Sequence, residues 1–281
     1  MQIIKSSEDI KSLKNNKIIG AENLALNNSE IRFGGEGNIL FCEKGVKLVN
    51  SQLKFFGNNC VIYLCENKHD YILDVSVYNS SSFFMGKNNY INGVLHAVLS
   101  ERKNIVIGSG NLFSFGIWIR TADPHLVYSA DTKKRINPSK SVYIGDHVWI
   151  GQGALVLKGT KLHSGCILGG GAVCAGKEVP SNTSWGGNPA KQLSSGIFWD
   201  YPCVHAWKEE DTESHQTFKS DSYLYKEDSK TAPFDKTEKA LDGAKSADEK
   251  LEILSKTAQN TDKNRFSLDF TDTKKKGFFK R

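Results

Sequence analysis

A parallel β-solenoid is the fold class predicted by the sequence, continued by a polar and partly helical C-terminal extension. Three observations carry that expectation. Between Val142 and Gly176 an aliphatic residue recurs at every sixth position, at Ile144, Ile150, Val156, Leu162 and Leu168, with Cys174 in the sixth place. Four positions after each comes Val148, Ala154, Thr160, Cys166, Ala172 and then Glu178, so five of the six are small. Glycines keep the same beat, at Gly145, Gly151 and Gly169 directly after the aliphatic residue and at Gly153, Gly159, Gly165 and Gly171 three places after it.

A helix needs apolar recurrence at three and four, and a half-buried strand needs it at two. Six suits a short strand that turns a corner and starts again, with glycine adopting corner conformations that a Cβ resists. The large aliphatic and the small residue then point into one narrow core, and each rung is buried by its neighbours.

The repeat extends upstream in a looser form. "GEGNILF" at Gly35, "GNNCVIY" at Gly57, "GKNNYIN" at Gly86 and "GSGNLFS" at Gly108 share a glycine followed three places later by Asn38, Cys60, Asn89 or Asn111. The spacing predicts longer coils bearing small insertions, with asparagines at the turns in a structural role. The six-residue phase shows briefly at Ile107, Phe113 and Ile119, then breaks before resuming at Ile144. About 19 residues are therefore extruded as a loop, "DPHLVYSADTKKRINPSKS", residues 123–141. A loop leaving a rigid scaffold is where function concentrates.

The chain is read as a β-helix body over residues 1–207 and an extension over residues 208–281. In the extension, "DKTEKALDGAKSADEKLEILSK" has a helical pattern, with Leu241, Ala244, Leu251 and Leu254 roughly on one face. The end, "KKKGFFKR", suits either a solvated tail or a weak membrane-surface contact. Capping of the open solenoid ends is expected, because they expose unpaired backbone groups.

Composition is that of an ordinary globular protein, with 39% hydrophobic and 24% charged residues. No stretch approaches the roughly 18 apolar residues of a membrane span. The start, "MQIIKSSEDIKSLKNN", lacks the apolar core of a secretory signal, so a cytoplasmic location is expected. The net charge of +6 lies wholly in residues 1–207, where 21 basic face 15 acidic residues. An anionic ligand such as a nucleotide cofactor or an acidic sugar suits that body, as does a simple solubility charge, and no nucleic-acid partner is expected. Cys42, Cys60, Cys65, Cys166, Cys174 and Cys203 show no metal-ligand spacing, and Cys166 and Cys174 fall at inward positions as small hydrophobes.

"IRTADPH…KRINPSKSVYIGDHVWIG" followed by "GGNPAKQL" resembles the hexapeptide-repeat acyltransferases, strongly over residues 105–199 and only faintly in the extension. The resemblance implies a left-handed parallel β-helix and a homotrimer with sites between subunits. Within the family the sequence is most similar to bacterial O-acetyltransferases of capsule and surface glycans, including sialic acid and lipooligosaccharide. That implies an acetyl-CoA-dependent O-acetyltransferase with a carbohydrate acceptor.

Such chemistry requires the acceptor hydroxyl to lose its proton as it attacks the thioester, and a donor for the developing oxyanion. Of seven histidines only His125 lies in the extruded loop, beside Asp123, which could orient it. The family places its catalytic histidine at this position, and the tryptophan matching Trp149 beside it. Resemblance likewise matches Gly170 and Ala172 to the pantetheine-contacting stretch and Lys177 and Lys191 to the phosphate end. Trp185 could stack on adenine or pack against a neighbour. Arg120 and Arg135, with Lys133 and Lys134, could meet an acceptor carboxylate or form a solvated charge run. His147 and His163 fall at outward positions and are expected on a solvated surface. A zinc hydratase on this scaffold would need three converging imidazoles, which the spacing does not provide, so no metal is expected. The alternatives are an acetyltransferase for another sugar or small acceptor, and a non-catalytic scaffold or glycan-binding solenoid.

Overall fold

Each strand's backbone finds its hydrogen-bond partners in the next coil, so the chain winds into a three-sided parallel β-helix. The computed structural model describes residues 1–270, and the "KKKGFFKR" segment, with its suggested membrane contact, lies outside the described residues. Two faces carry eight strands and the third six, with a further two-stranded ladder upstream. A single rung shows the path: Trp118–Arg120 on the first face, Val142–Ile144 on the second, Trp149–Ile150 on the third and Leu155–Leu157 on the first again. This is the left-handed parallel β-helix that the resemblance implied.

Register reports coil length directly. Upstream Ile31 pairs with Leu53, whereas downstream Ile150 pairs with Leu168, so the coils shorten along the chain. Across the break Ile107 pairs directly with Ile144. Whatever lies between these two beyond one short coil is extruded, as the break in the sixfold phase predicted. Ile144, Val148, Ile150, Ala154, Val156, Leu162, Cys166, Leu168, Ala172 and Cys174 all point into the core and are fully buried. After Cys174 the phase slips by one position. Val179 pairs with Leu162 and is buried, which leaves Glu178 exposed where the sixfold count placed a small inward residue.

The upstream asparagines form ladders that tie coil to coil. The Asn38 amide oxygen accepts from the Cys60 N–H, Asn89 accepts from Asn111, and Asn111 accepts from Val148. Their role is structural, since each satisfies a buried backbone donor of the following coil. Glycine is needed where coils approach most closely: a Cβ on Gly108 would lie 2.6 Å from the Gly145 carbonyl oxygen. The first coil is closed by an antiparallel strand, Gln2–Ile4, and by the one-turn helix α1 (Ser7–Ile10), whose Ser6–Asp9 capping box satisfies its first donors. The last parallel strand, Thr183–Gly186, is covered by the antiparallel Lys191–Ser195.

The second face is apolar on both sides. Val61–Leu64, Ser82–Met85, Asn104–Ile107 and Val142–Ile144 are buried at every position, the pattern of strands covered on both faces. The cover is the C-terminal extension, which contains α2 (Glu209–Ser214), α3 (Phe234–Gly243) and α4 (Ala247–Gln259). The single helical pattern read from the sequence is thus two helices, because the backbone turns extended at Ala244. Phe234, Leu241, Ala247, Leu254 and Phe266 pack on Ile39, Val61, Tyr63, Phe84, Val106 and Tyr143 as a second core.

The extension also corrects the expectation for two histidines. His147 and His163 point outward from the coils as counted, yet both are buried, because the chain that follows the last coil, residues 199–266, lies over them. His147 is sandwiched between Trp199 and Tyr223, with ring centroids 4.1 and 4.0 Å away. Its Nε2 donates to the Trp199 carbonyl at 3.0 Å while the Trp199 indole N–H donates back to the His147 carbonyl at 3.0 Å. His163 lies within hydrogen-bond distance of the Phe266 carbonyl and the Glu178 carboxylate. The latch is completed by Arg265, whose Nε and Nη2 donate to the two oxygens of Asp146 at 2.8 and 2.7 Å. No helix among the described residues is long and apolar enough to cross a membrane.

Two outcomes follow from this packing. Arg265→Ala strands a mostly buried Asp146 carboxylate and should weaken docking of the extension by about 3 kcal/mol. The check is hydrogen exchange, which should accelerate in α3 and α4 and leave the coil strands as they are. Burial pushes the His147 and His163 imidazoles below their ordinary range. The unfolded chain therefore binds these protons more readily, so their contribution is complete above about pH 6.5 and is lost as pH falls through the lower folded values. Melting temperature should fall on acidification across that window, and His147→Gln should flatten the fall.

Candidate functional site

The extruded loop is held firmly at the edge between the first and second faces. Its neck is closed by the Lys140 N–H donating to the Thr121 carbonyl at 3.0 Å, and a small hairpin pairs Tyr128 with Arg135 farther out. Asn137, which is buried, organises everything between. Its amide nitrogen donates to the Asp123 carboxylate at 3.1 Å and to the His125 carbonyl at 2.8 Å, and its amide oxygen accepts from the Val127 N–H at 2.9 Å. Sequence reasoning did not single out Asn137. The N-P pair at Asn137–Pro138 was its only local signal.

Asp123 and His125 are both exposed, and their mutual relation is indirect. The Asp123 carboxylate takes the Lys158 ammonium at 2.5 Å and the Asn137 amide, and the Lys158 hydrogen bond is the main reason its carboxyl sits below the usual range. Among the described residues no hydrogen bond reaches the His125 imidazole. Asp123 is therefore linked to His125 only through Asn137 and the main chain, and both ring nitrogens are without a hydrogen-bond partner among the described residues. Arg135 is likewise engaged: it donates to both oxygens of Glu101 at 2.6 and 2.8 Å, and Ser139 donates to the same carboxylate. Arg120 lies half-buried on the first face with its guanidinium 4.8 Å over the Trp118 ring.

Trp149 belongs to another side of the prism. It stands exposed on the third face, in direct register between Leu112 and Ile167, with Trp199 tilted against it at 6.1 Å. The loop occupies the edge opposite that face, so one chain does not bring His125 and Trp149 together. The residues matched to the cofactor are also dispersed. Gly170 is exposed at the edge between the third and first faces, and Lys177 is exposed at the loop's own edge, one coil beyond Lys158. Trp185 and Lys191 lie on neighbouring strands of the third face. The Trp185 indole N–H is buried and has no partner among the described residues. Ala172 departs from expectation, because its side chain is fully buried in the core and its carbonyl accepts the Leu155 N–H. It offers no surface to a cofactor, since the sixfold phase turns it inward.

Burial pushes the thiols of Cys60 and Cys174 up to about 11 and that of Cys42 up to about 12, so these are packing residues rather than nucleophiles. Among the described residues no group of three or more His, Cys, Asp or Glu side chains is placed to hold a metal ion.

A parallel β-helix of hexapeptide rungs, with one pinned histidine loop at an edge, defines a class of protein. Residues 141–176 match the family model for the bacterial transferase hexapeptide (six repeats). The polysialic acid O-acetyltransferase of Neisseria meningitidis is 27% identical over 206 residues, covering 73% of this chain and 95% of that protein. A polysialic acid O-acetyltransferase of Escherichia coli O1:K1 / APEC is 29% identical over 126 residues, covering 45% of this chain and 40% of that protein. Among solved structures, the crystal structure of the polySia-specific acetyltransferase NeuO is similar with a TM-score of 0.61 at 25% identity, covering 72% of this chain and 93% of that one. The chain is thus similar in sequence and fold to hexapeptide-repeat acetyltransferases.

Asn137→Ala should release the loop without loosening the coils. Amide protection at Val127 is expected to disappear while the melting temperature stays within about 2 °C, measured by hydrogen exchange and calorimetry.

Proposed function

We propose that the protein transfers an acetyl group from acetyl-CoA to a hydroxyl of a sialic acid-bearing glycan, with His125 as general base. The observation that carries this reading is an imidazole with both nitrogens open, presented on a loop pinned through Asn137 to a hexapeptide β-helix. The similarity to a polysialic acid O-acetyltransferase over 95% of that protein supports the acceptor class.

In the proposed step His125 removes the hydroxyl proton as the oxygen attacks the thioester carbonyl. A carbon–oxygen bond forms, and the tetrahedral oxyanion is held by a backbone N–H or the Trp149 indole N–H. The carbon–sulfur bond then breaks, and the imidazolium returns its proton to the departing CoA sulfur. Asp123 and Lys158 serve by fixing Asn137, and so the main chain of His125. No acyl-enzyme is needed.

The site is proposed to form between subunits of a homotrimer. His125 sits at the edge opposite the Trp149 face, and the loop around it exposes Leu126, Val127, Tyr128 and Ile136, an apolar surface suited to a neighbouring chain. That apposition would also carry Lys177 of one chain toward Trp185 and Lys191 of the next, where the cofactor could run. Of the two arginines, Arg120 is the one open to an acceptor carboxylate, since Arg135 already holds Glu101.

CoA release from acetyl-CoA, with sialylated and unsialylated acceptors, tests the reading. Release should require the sialylated acceptor and fall by about 10²–10⁴-fold in His125→Ala, with the fold retained. Equal release with unsialylated acceptors would remove the sialic acid assignment. Co-expressing His125→Ala with Trp149→Ala should restore part of the activity, because some interfaces then hold both native residues. No recovery would place both residues in one chain's site.

A further inference from the structure

After the last coil the chain runs back along the third face, and a cleft opens beside it. Trp199 packs near Trp149, and the Tyr201 hydroxyl, farther along, donates to the Gly110 carbonyl and lies 3.2 Å from His147 Nδ1. Between this segment and the upstream coils is a cavity of about 690 Å³, lined by His69, Tyr90, Asn92, Phe115, Tyr201 and His205 together with Leu112 and Cys203. Nothing in the chemistry derived above uses it.

We propose that this cleft is an extended sugar subsite, which takes the units of a linear acidic glycan adjoining the one acetylated beside Trp149. The inference rests on the acceptor class proposed above. Three features point to this occupant. Tyr90, Phe115 and Tyr201 are all substantially exposed and offer flat apolar faces to the C–H faces of pyranose rings. His69, Asn92 and His205 stand among them to meet hydroxyl and amide groups, and no lining residue is a carboxylate that would repel an anionic chain. The spacing is also appropriate. Tyr90 pairs with Leu112 and Leu112 with Trp149, so the cleft begins on the next rung from Trp149, at a rung spacing of about 4.8 Å, comparable to one pyranose unit. The surface is built in advance: His69 packs edge-on to Tyr90 at 4.7 Å, and Tyr201 is fixed by its two polar contacts.

The test compares acceptors of one, two, four and eight α-linked sialic acid units in the CoA-release assay. For the wild-type chain KM should fall with length and level off after about three units, the number of rungs from Trp149 through Tyr90. Tyr90→Ala combined with Phe115→Ala should erase that advantage, raising KM for the longest acceptor about tenfold with kcat little affected. Phe56→Ala, an exposed aromatic outside the cleft, should keep the wild-type length dependence. A double variant with unaltered length dependence would overturn the subsite. So would a change in its oligomeric state by sedimentation, which would make the face a contact between copies. Should the wild type acetylate no sialylated acceptor, the function proposed above fails separately. Octasialic acid binding, followed by intrinsic fluorescence, then decides the cleft: binding lost in the double variant sustains it, and no binding by the wild type overturns it.

Discussion

Every coil of this protein donates backbone hydrogen bonds to the next, and that constraint keeps successive strands in register even as the coils shorten along the chain. Residues in excess of a coil cannot be absorbed into the core, because the inward positions are filled by one large and one small side chain per face. They must leave through a corner. The excess between Ile107 and Ile144 does so at the edge between the first and second faces, while the strands on either side stay in register. The scaffold therefore determines where the loop stands, and Asn137 determines its shape.

The same constraint explains the extension. A strand in a solenoid buries one side by winding, and the other side depends on what lies outside. On the second face the outward residues are Tyr63, Phe84, Val106 and Tyr143, which water would solvate poorly. The two C-terminal helices supply the missing layer, and their capture reaches the corner that precedes Trp149. Arg265 grips Asp146, Trp199 and His147 exchange hydrogen bonds, and Tyr225 lies where a Cβ on Gly165 would come within 2.5 Å of its ring. The relative from Neisseria meningitidis matches 73% of this chain while using 95% of its own length, so most of the remainder of this chain has no counterpart there.

A prism has edges and faces, and the proposed chemistry uses both. An edge can carry a loop but offers little area, whereas a face offers area but no protruding group. His125 on the edge and Trp149 on the face are complementary only when two prisms lie side by side. The apolar strip continuing from Trp149 through Leu112 to Tyr90 runs along the solenoid axis, the direction in which a linear polymer would lie.

By itself the sequence determined the coil. The sixfold beat from Ile144 to Cys174, the break before Ile144 and the histidine within the break are local or periodic properties, and periodicity survives into structure because each rung repeats the same burial. The asparagine ladders were legible for the same reason. Other features depended on contacts between residues far apart in the chain, and only the tertiary structure decided them. His147 and His163 point outward by count, yet are buried by residues 199–266, which no local pattern connects to them. The runs "CVIYLC" and "SFFM" did carry a signal, since strands apolar at consecutive positions need cover on both sides. Asp123 lies two residues before His125 in sequence but bonds to Lys158, because the next coil places that ammonium at the same edge. Glu178 faces solvent because a slip of a single position moved Val179 inward, and such a slip is visible only when strands are paired in space.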